Sequence, residues 1–164
     1  MSGAQAKAGI EHELLHAWQE LASAADSFSE AEMEQAGVIE GWSVKDLLGH
    51  IAFWADKAAA DLQAVAGGRE DEVAAAESDN QVDEWNERER QSRAGRPLAE
   101  IREEWLESFQ TAMDALATFP AERLQEKVKG RTVLDRFAGD TYEHYREHFG
   151  YLSAWWRQLE TTEE

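Results

Sequence analysis

The stretch GWSVKDLLGHIAFW, residues 41–54, predicts an amphipathic helix with a well-defined first turn. Ser43 is a favoured N-cap residue, and Asp46 stands three positions later, where it can return a hydrogen bond to the cap. Gly67 and Gly68 are expected to end the helix. Between these limits the apolar residues recur at helical spacing, namely Leu47, Ile51, Trp54, Ala58, Leu62 and Val65.

Three other stretches of the chain have the same helical periodicity. Their apolar faces are Ile10, Leu14, Trp18, Leu21 and Ala25; Ile101, Trp105, Phe109, Met113 and Leu116; and Leu134, Ala138, Thr141, Tyr145, His148, Leu152, Trp155 and Leu159. No strand pattern or internal repeat is evident. Residues 69–84 are predicted to be an acidic, mobile connection, either irregular or partly helical, and residues 82–93 a polar helix. Four long amphipathic helices within residues 1–164 predict a single all-α domain, a four-helix bundle.

Acidic residues dominate the charge of the chain, with 34 Asp and Glu against 16 Lys and Arg and a formal net charge of −18. Binding to nucleic acid or to an anionic membrane needs clustered Lys and Arg, so we expect neither partner. The chain has no cysteine, which rules out disulfides, thiolate zinc sites and a thiol nucleophile of its own. Because no signal-peptide pattern or membrane-length apolar run is evident, the expected location is cytoplasmic.

Three of the five histidines are placed to meet at one site. His144 and His148 are four residues apart on the core-facing side of the last helix, and His50 lies beside the apolar stripe of residues 47–65. Three neutral imidazoles can hold a divalent ion such as Zn, Ni, Fe or Mn and leave positions open for water or substrate. The alternative is that these are core histidines satisfied by hydrogen bonds.

Two short patterns resemble zinc-protease motifs. Residues 12–16 match H-E-x-x-H, and residues 144–148 match the inverted H-x-x-E-H form. A protease also needs a strand or cleft that holds an extended peptide, and no strand is evident here. We therefore expect His12 and His16 to be partly exposed residues of the first helix.

Two segments resemble signatures of the DinB/YfiT-like superfamily. Residues 41–54 resemble its second-helix signature, in which a Trp-Ser cap precedes a helix whose Leu-x-His supplies a first metal ligand. Residues 141–148, TYEHYREH, look like the fourth-helix signature that carries the other two. Residues 79–93, which include Asp83, Trp85 and Asn86, resemble the middle of the mycothiol-dependent and ClbS/DfsB-like branches, and the chain looks nearest to the latter. The resemblance extends from the first helix to about residue 159.

The resemblance implies an up-up-down-down four-helix bundle that is frequently a homodimer. It also implies a divalent metal bound by His50, His144 and His148, with water completing its coordination. Activities in the superfamily include transfer reactions and isomerisations that use bacterial low-molecular-weight thiols, as well as hydrolase and self-resistance roles. A low-molecular-weight thiol is therefore a candidate cosubstrate.

The leading functional hypothesis is a metal-dependent hydrolase or thiol transferase, in which activated water or thiol attacks a small electrophile. Trp54, Asn86 and Tyr145 are candidates for the lining of the substrate pocket, while no catalytic residue is identified. Glu147 could act as a base only if it faces inward. One alternative is a non-catalytic bundle that binds or sequesters a small molecule. Another is a structural dimer whose interface uses Trp155 and Trp156.

Overall fold

The computed structural model describes residues 2–163, which are mostly helical. The helices are α1 Gly3–Asp26, α2 Glu30–Glu34, α3 Val44–Ala66, α4 Asp79–Arg93, α5 Leu98–Thr118, α6 Val133–Asp140 and α7 Tyr142–Thr162. The long helices α1, α3, α5 and α7 pack around one hydrophobic core, which confirms the predicted all-α four-helix bundle. Within residues 2–163, every helix is too short or too polar to cross a bilayer.

The first turn of α3 forms as the sequence predicts. Ser43 Oγ accepts a hydrogen bond from the Asp46 backbone N–H at 3.1 Å, and the Asp46 carboxylate accepts one from the Ser43 N–H at 3.0 Å. Two of the N–H groups that an α-helix leaves unpaired at its start are thereby satisfied. At the other end, α3 stops at Ala66, and Gly68 adopts a left-handed φ of 73°. These two ends fix the register of α3, and with it the position of His50.

Contacts between the long helices establish their relative directions. α7 runs parallel to α1, whereas α5 runs antiparallel to α1 and α3 runs antiparallel to α7. Around the bundle the order α7, α1, α5, α3 is therefore up-up-down-down, whereas along the chain the directions are up, down, down, up. Glu13–Arg146 and Phe28–Trp156 give the direction of α7 relative to α1. Lys7–Phe119 and Asp26–Arg102 give that of α5 relative to α1. His50–His148 and Lys57–Asp140 give that of α3 relative to α7 and to the end of α6 that precedes it.

Because α3 and α5 run parallel, the chain must return along the bundle between them, and α4 makes that return. No residue of α4 is fully buried, and its composition is strongly polar. Polar contacts attach it to the bundle: Trp54 Nε1 donates to Asn86 Oδ1 at 2.8 Å, and Arg93 pairs with Glu104 at 2.7 Å. α4 therefore forms one wall over the outer face of α3.

The predicted connection over residues 69–84 is partly helical in the structure. Glu70–Glu72 form a single turn of 3₁₀ helix, and Val73 is buried in the core. Helix α4 already begins at Asp79, with Ser78 Oγ accepting from the Gln81 N–H at 3.2 Å. The acidic composition of the segment concealed one apolar anchor, Val73, and one capping serine.

The last predicted helix is broken at Thr141 into α6 and α7. The Thr141 side chain is fully buried, and its hydroxyl donates to the Phe137 carbonyl at 2.6 Å. Back-bonding of this kind competes with the helical ladder and bends helices. The backbone at Thr141 has φ −122° and ψ −102°, outside the helical region. The break lets α6 follow the distal half of α3 while α7 directs His144 and His148 toward His50.

A small hairpin, absent from the sequence prediction, precedes α6. Strands β1 Lys127–Val128 and β2 Arg131–Thr132 pair antiparallel. Lys129 and Gly130 connect them with φ values of 49° and 85°, the left-handed geometry of a tight two-residue turn. Strands of two residues are too short to show an alternating pattern in the sequence. The hairpin places cationic side chains beside α6.

Candidate metal centre

The structure brings together the three histidines that the sequence singled out. His50 is on α3, and His144 and His148 are on successive turns of α7. The Nε2 atom of His144 lies 2.9 Å from Nε2 of His50 and 2.7 Å from Nε2 of His148. All three rings therefore direct the same nitrogen to one point between α3 and α7.

The donor set at this point fits a divalent cation. A hydrogen bond between two imidazole nitrogens needs one N–H and one lone pair, and a neutral ring has only one N–H. The Nδ1 atoms of all three rings are buried without a hydrogen-bond partner among the described residues. When Nδ1 carries the proton, three Nε2 lone pairs face one another, an arrangement that a cation stabilises. Nitrogens that share one ion at about 2.1 Å lie about 3.0–3.4 Å apart, close to the spacings here.

The electrostatic environment keeps the three imidazoles neutral near neutral pH. Burial lowers the pKa of His50 to about 4, against a smaller opposing effect of the Asn86 side chain. Burial also lowers the pKa of His148 to about 3, with a further contribution from His50. The pKa of His144 is lowered in the same way by burial and by its two neighbours. Neutral imidazole is the form that binds metals.

An open cleft of about 1050 Å³ lies over the histidines, between α3, α4, α7 and the hairpin. Trp54 and Asn86, both predicted as pocket residues, line it and are hydrogen-bonded to each other at 2.8 Å. The ring of Trp42 meets the His50 ring edge-on at 5.4 Å. The part of the cleft next to the histidines is therefore aromatic, whereas the part formed by α4 is polar.

Tyr145, the third predicted pocket residue, lies elsewhere. It is 0% exposed in the bundle core, where its ring packs on Trp18 at 5.8 Å. Successive residues of a helix point about 100° apart, so the residue after His144 faces away from the cleft. Burial raises the pKa of the Tyr145 hydroxyl. Glu147 is exposed at the edge of the cleft, where its carboxylate accepts a hydrogen bond from Tyr151 at 3.3 Å.

The histidines of the first helix stay apart from this site. His12 and His16 are both exposed on α1, with ring centroids 6.2 Å apart. Within residues 2–163, the cluster that could hold a metal consists of His50, His144 and His148. The inverted motif over residues 144–148 therefore contributes its two histidines to the cluster, and the third histidine, His50, is on another helix.

Sequence reasoning missed a group of charged residues at the far end of the cleft. Asp140 is largely buried there, and burial raises its pKa to about 7, opposed by Lys57, Arg131 and Arg136. Lys57 pairs with Asp61 at 2.7 Å. A signal was available on α3, since Lys57 lies seven residues after His50 and so on the same helix face.

Comparison with known proteins adds a family to this geometry. The sequence profile of the mycothiol maleylpyruvate isomerase N-terminal domain matches residues 14–149. No curated protein matches the chain. The crystal structure of an uncharacterised protein from Escherichia coli UTI89 is similar, with a TM-score of 0.79 over 94% of each chain. Its sequence identity of 13% limits that likeness to the fold.

Proposed function

Since the chain belongs to the mycothiol maleylpyruvate isomerase N-terminal domain family, whose members have the DinB/YfiT-like fold, we propose that it is a metal-dependent enzyme. His50, His144 and His148 are the proposed ligands of a divalent ion, Zn, Ni, Fe or Mn. The observation that supports this most directly is the convergence of three histidine Nε2 atoms at the floor of an open cleft. Imidazole ligands suit each of these metals except Mn, which prefers oxygen.

The chain's own residues position a small substrate over the histidines. The rings of Trp54 and Trp42 offer apolar surface beside His50, and the Asn86 amide, held by the Trp54 N–H, offers a hydrogen-bonding group. A bound divalent ion would supply the activation of water or of a thiol as a nucleophile near neutral pH. The cleft is open on one side, so a substrate and a cosubstrate can enter together.

A low-molecular-weight thiol is the proposed cosubstrate in the transferase form of this reaction. The chain has no cysteine, so any thiol nucleophile must come from solution. The family description names a mycothiol-linked isomerase, which supports a thiol of that kind. Consumption of a small electrophilic ester or haloaromatic, followed with and without added thiol, distinguishes hydrolysis from thiol transfer.

Metal analysis of protein purified without a histidine tag tests the proposal. We expect about one equivalent of metal per chain, and less than about a tenth in His50→Ala and in His148→Asn. His16→Ala, which removes an exposed histidine from α1, is the matched control and should keep the wild-type content. Metal-free wild-type protein, or unchanged metal in both site variants, would rule the proposal out.

The proposal includes a small-molecule substrate and a homodimer. Trp156 packs edge-on against Phe28, and a Cβ on Gly37 would lie 2.6 Å from the Trp155 ring, so both tryptophans already pack within the chain. An interface through this end would therefore use the exposed edges of the two rings. Light scattering during size-exclusion chromatography measures the oligomeric state.

A further inference from the structure

Three cationic side chains lie at one end of the cleft and form no ion pair with a carboxylate within residues 2–163. Lys129, Arg131 and Arg136 all line the cleft. Their hydrogen bonds within residues 2–163 go to backbone carbonyls. Lys129 donates to Asp71 and Val73, Arg131 to Asp135, and Arg136 to Val128 and Lys129. Their charges are available to a ligand.

The face of α3 connects these cations with the histidines. His50, Trp54 and Lys57 follow one another at four- and three-residue spacing, and all three line the cleft. Seven residues of helix span about 10 Å. The cleft therefore has imidazoles at one end, an indole ring in the middle and cations at the other end, a length that suits one small molecule.

The remaining charges around the cleft favour one orientation of such a molecule. Glu77, Asp79, Asp83 and Glu87 line the α4 side and would repel an anionic group placed there, and Glu40 and Glu147 are further acidic residues of the lining. At the hairpin end, Asp140 is the carboxyl group that lines the cleft, and Asp61, which influences the pKa of Asp140, is paired with Lys57. Burial raises the pKa of Asp140 to about 7, so that this carboxyl is partly neutral near neutral pH and repels an anion less.

We propose that the ligand of the cleft carries a carboxylate or phosphate group, which Arg131 binds together with Lys129 and Arg136. The other end of the ligand, its reactive end, then lies over the three histidines. A guanidinium presents paired N–H donors that match either anion. The claim that this ligand is a substrate rests on the proposed enzymatic function. Binding of the anionic group itself requires no metal.

Calorimetric titration with three matched probes tests the proposal: 3-phenylpropionate, phenyl phosphate and the neutral 3-phenylpropionamide. At least one anion should bind about tenfold more tightly than the amide, because charge-assisted hydrogen bonds to Arg are available only to the anions. The anion that binds identifies the group as carboxylate or phosphate. Equal affinity for all three probes, or no binding of any, overturns the proposal.

Variants locate the binding to the hairpin end. Arg131→Gln should weaken anion binding about tenfold, whereas Lys127→Gln should leave it unchanged. Lys127 is on the same hairpin and carries the same charge, but it does not line the cleft. Equal losses in the two variants would indicate a general charge effect and overturn the proposal. Asp140→Asn should instead strengthen anion binding at about pH 8, where the wild-type carboxyl is ionised, an increase that misfolding cannot imitate.

The same titration in His148→Asn separates this proposal from the metal proposal. Anion binding that persists in this variant, together with loss of metal, supports both. Anion binding in a wild-type protein that never holds metal supports the anion site and contradicts the metal-dependent reaction. Bound metal without any preference for the anionic probes contradicts the anion site alone.

Discussion

His50 Nε2 on α3 and His144 Nε2 on α7 lie 2.9 Å apart, although 94 residues separate them in the sequence. The Nδ1 atom of each ring is buried and has no hydrogen-bond partner within residues 2–163. The contact therefore depends entirely on how α3 and α7 pack, and anything that binds both nitrogens links the two helices.

Divalent metal should stabilise the folded chain through this link. A ligand that binds only the folded state at 100 times its Kd adds about 2.7 kcal/mol to the free energy of unfolding. We expect Zn²⁺ to raise Tm by several degrees in wild type and in His16→Ala, and to leave Tm unchanged in His144→Ala. Differential scanning calorimetry with and without chelator measures this, and an equal shift in all three proteins would contradict it.

Asp140 should make the stability of the chain depend on pH in a direction opposite to an ordinary ion-paired carboxylate. Its folded pKa is raised to about 7, above an unfolded value of about 3.9. The stability that it contributes is fully present below about pH 3.9 and is lost as pH rises through about 7. Asp140→Asn removes this loss, so its stability relative to wild type should rise with pH by up to about 1.4 kcal/mol per unit and level off above about pH 7.

Urea unfolding of both proteins across that range gives the difference directly. Asp135→Asn, which removes an exposed carboxyl group from the same helix, is the control for a general effect of the charge change. A wild-type advantage that grows with pH would mean that the Asp140 carboxylate is stabilised by its cationic neighbours rather than destabilised by burial.

Loss of the Thr141 hydroxyl should weaken the junction between α6 and α7. Thr141→Val keeps the shape of the side chain but leaves the bond to the Phe137 carbonyl unmade, in a site that is 0% exposed. We expect a loss of about 1–2 kcal/mol in the free energy of unfolding. Thr118→Val is matched, because the Thr118 hydroxyl makes the same i−4 bond, to Asp114, on the exposed surface of α5. Urea unfolding should show a much smaller effect there.

Two glycines within helices should respond oppositely to alanine. Gly150 is on α7 with open space around it, so Gly150→Ala should stabilise the chain by about 0.5–1 kcal/mol through helix propensity. A Cβ on Gly49 would lie 2.7 Å from Arg93 Cδ, and Arg93 is held by ion pairs to Glu89 and Glu104. Gly49→Ala should therefore gain nothing or lose stability. Stabilisation by both substitutions would show that Arg93 moves aside freely.

Several features that the sequence predicted correctly have local causes. The start of α3 depends on Ser43 and Asp46, three residues apart, and its buried face on simple periodicity. The break at Thr141 is also local, but its cause, a hydroxyl bonding back within a helix, leaves the apolar period intact and was invisible. Tyr145 was misplaced because its position between His144 and His148 in the sequence conceals its different direction. The cluster of cations over residues 129–136 became evident only from the fold, in which the hairpin and α6 place it at one end of the cleft.

Helix α4 has a consequence for the dynamics of the protein. Because none of its residues is fully buried, it can detach from the bundle while exposing little apolar surface. Its amide hydrogens should therefore exchange with solvent through local opening, well before those of α3 or α5, and faster as added salt screens the pairs of Arg90 and Arg93. We therefore expect the wall that carries Asn86 and Trp85 to open locally while the core stays packed, which would admit ligands to the cleft.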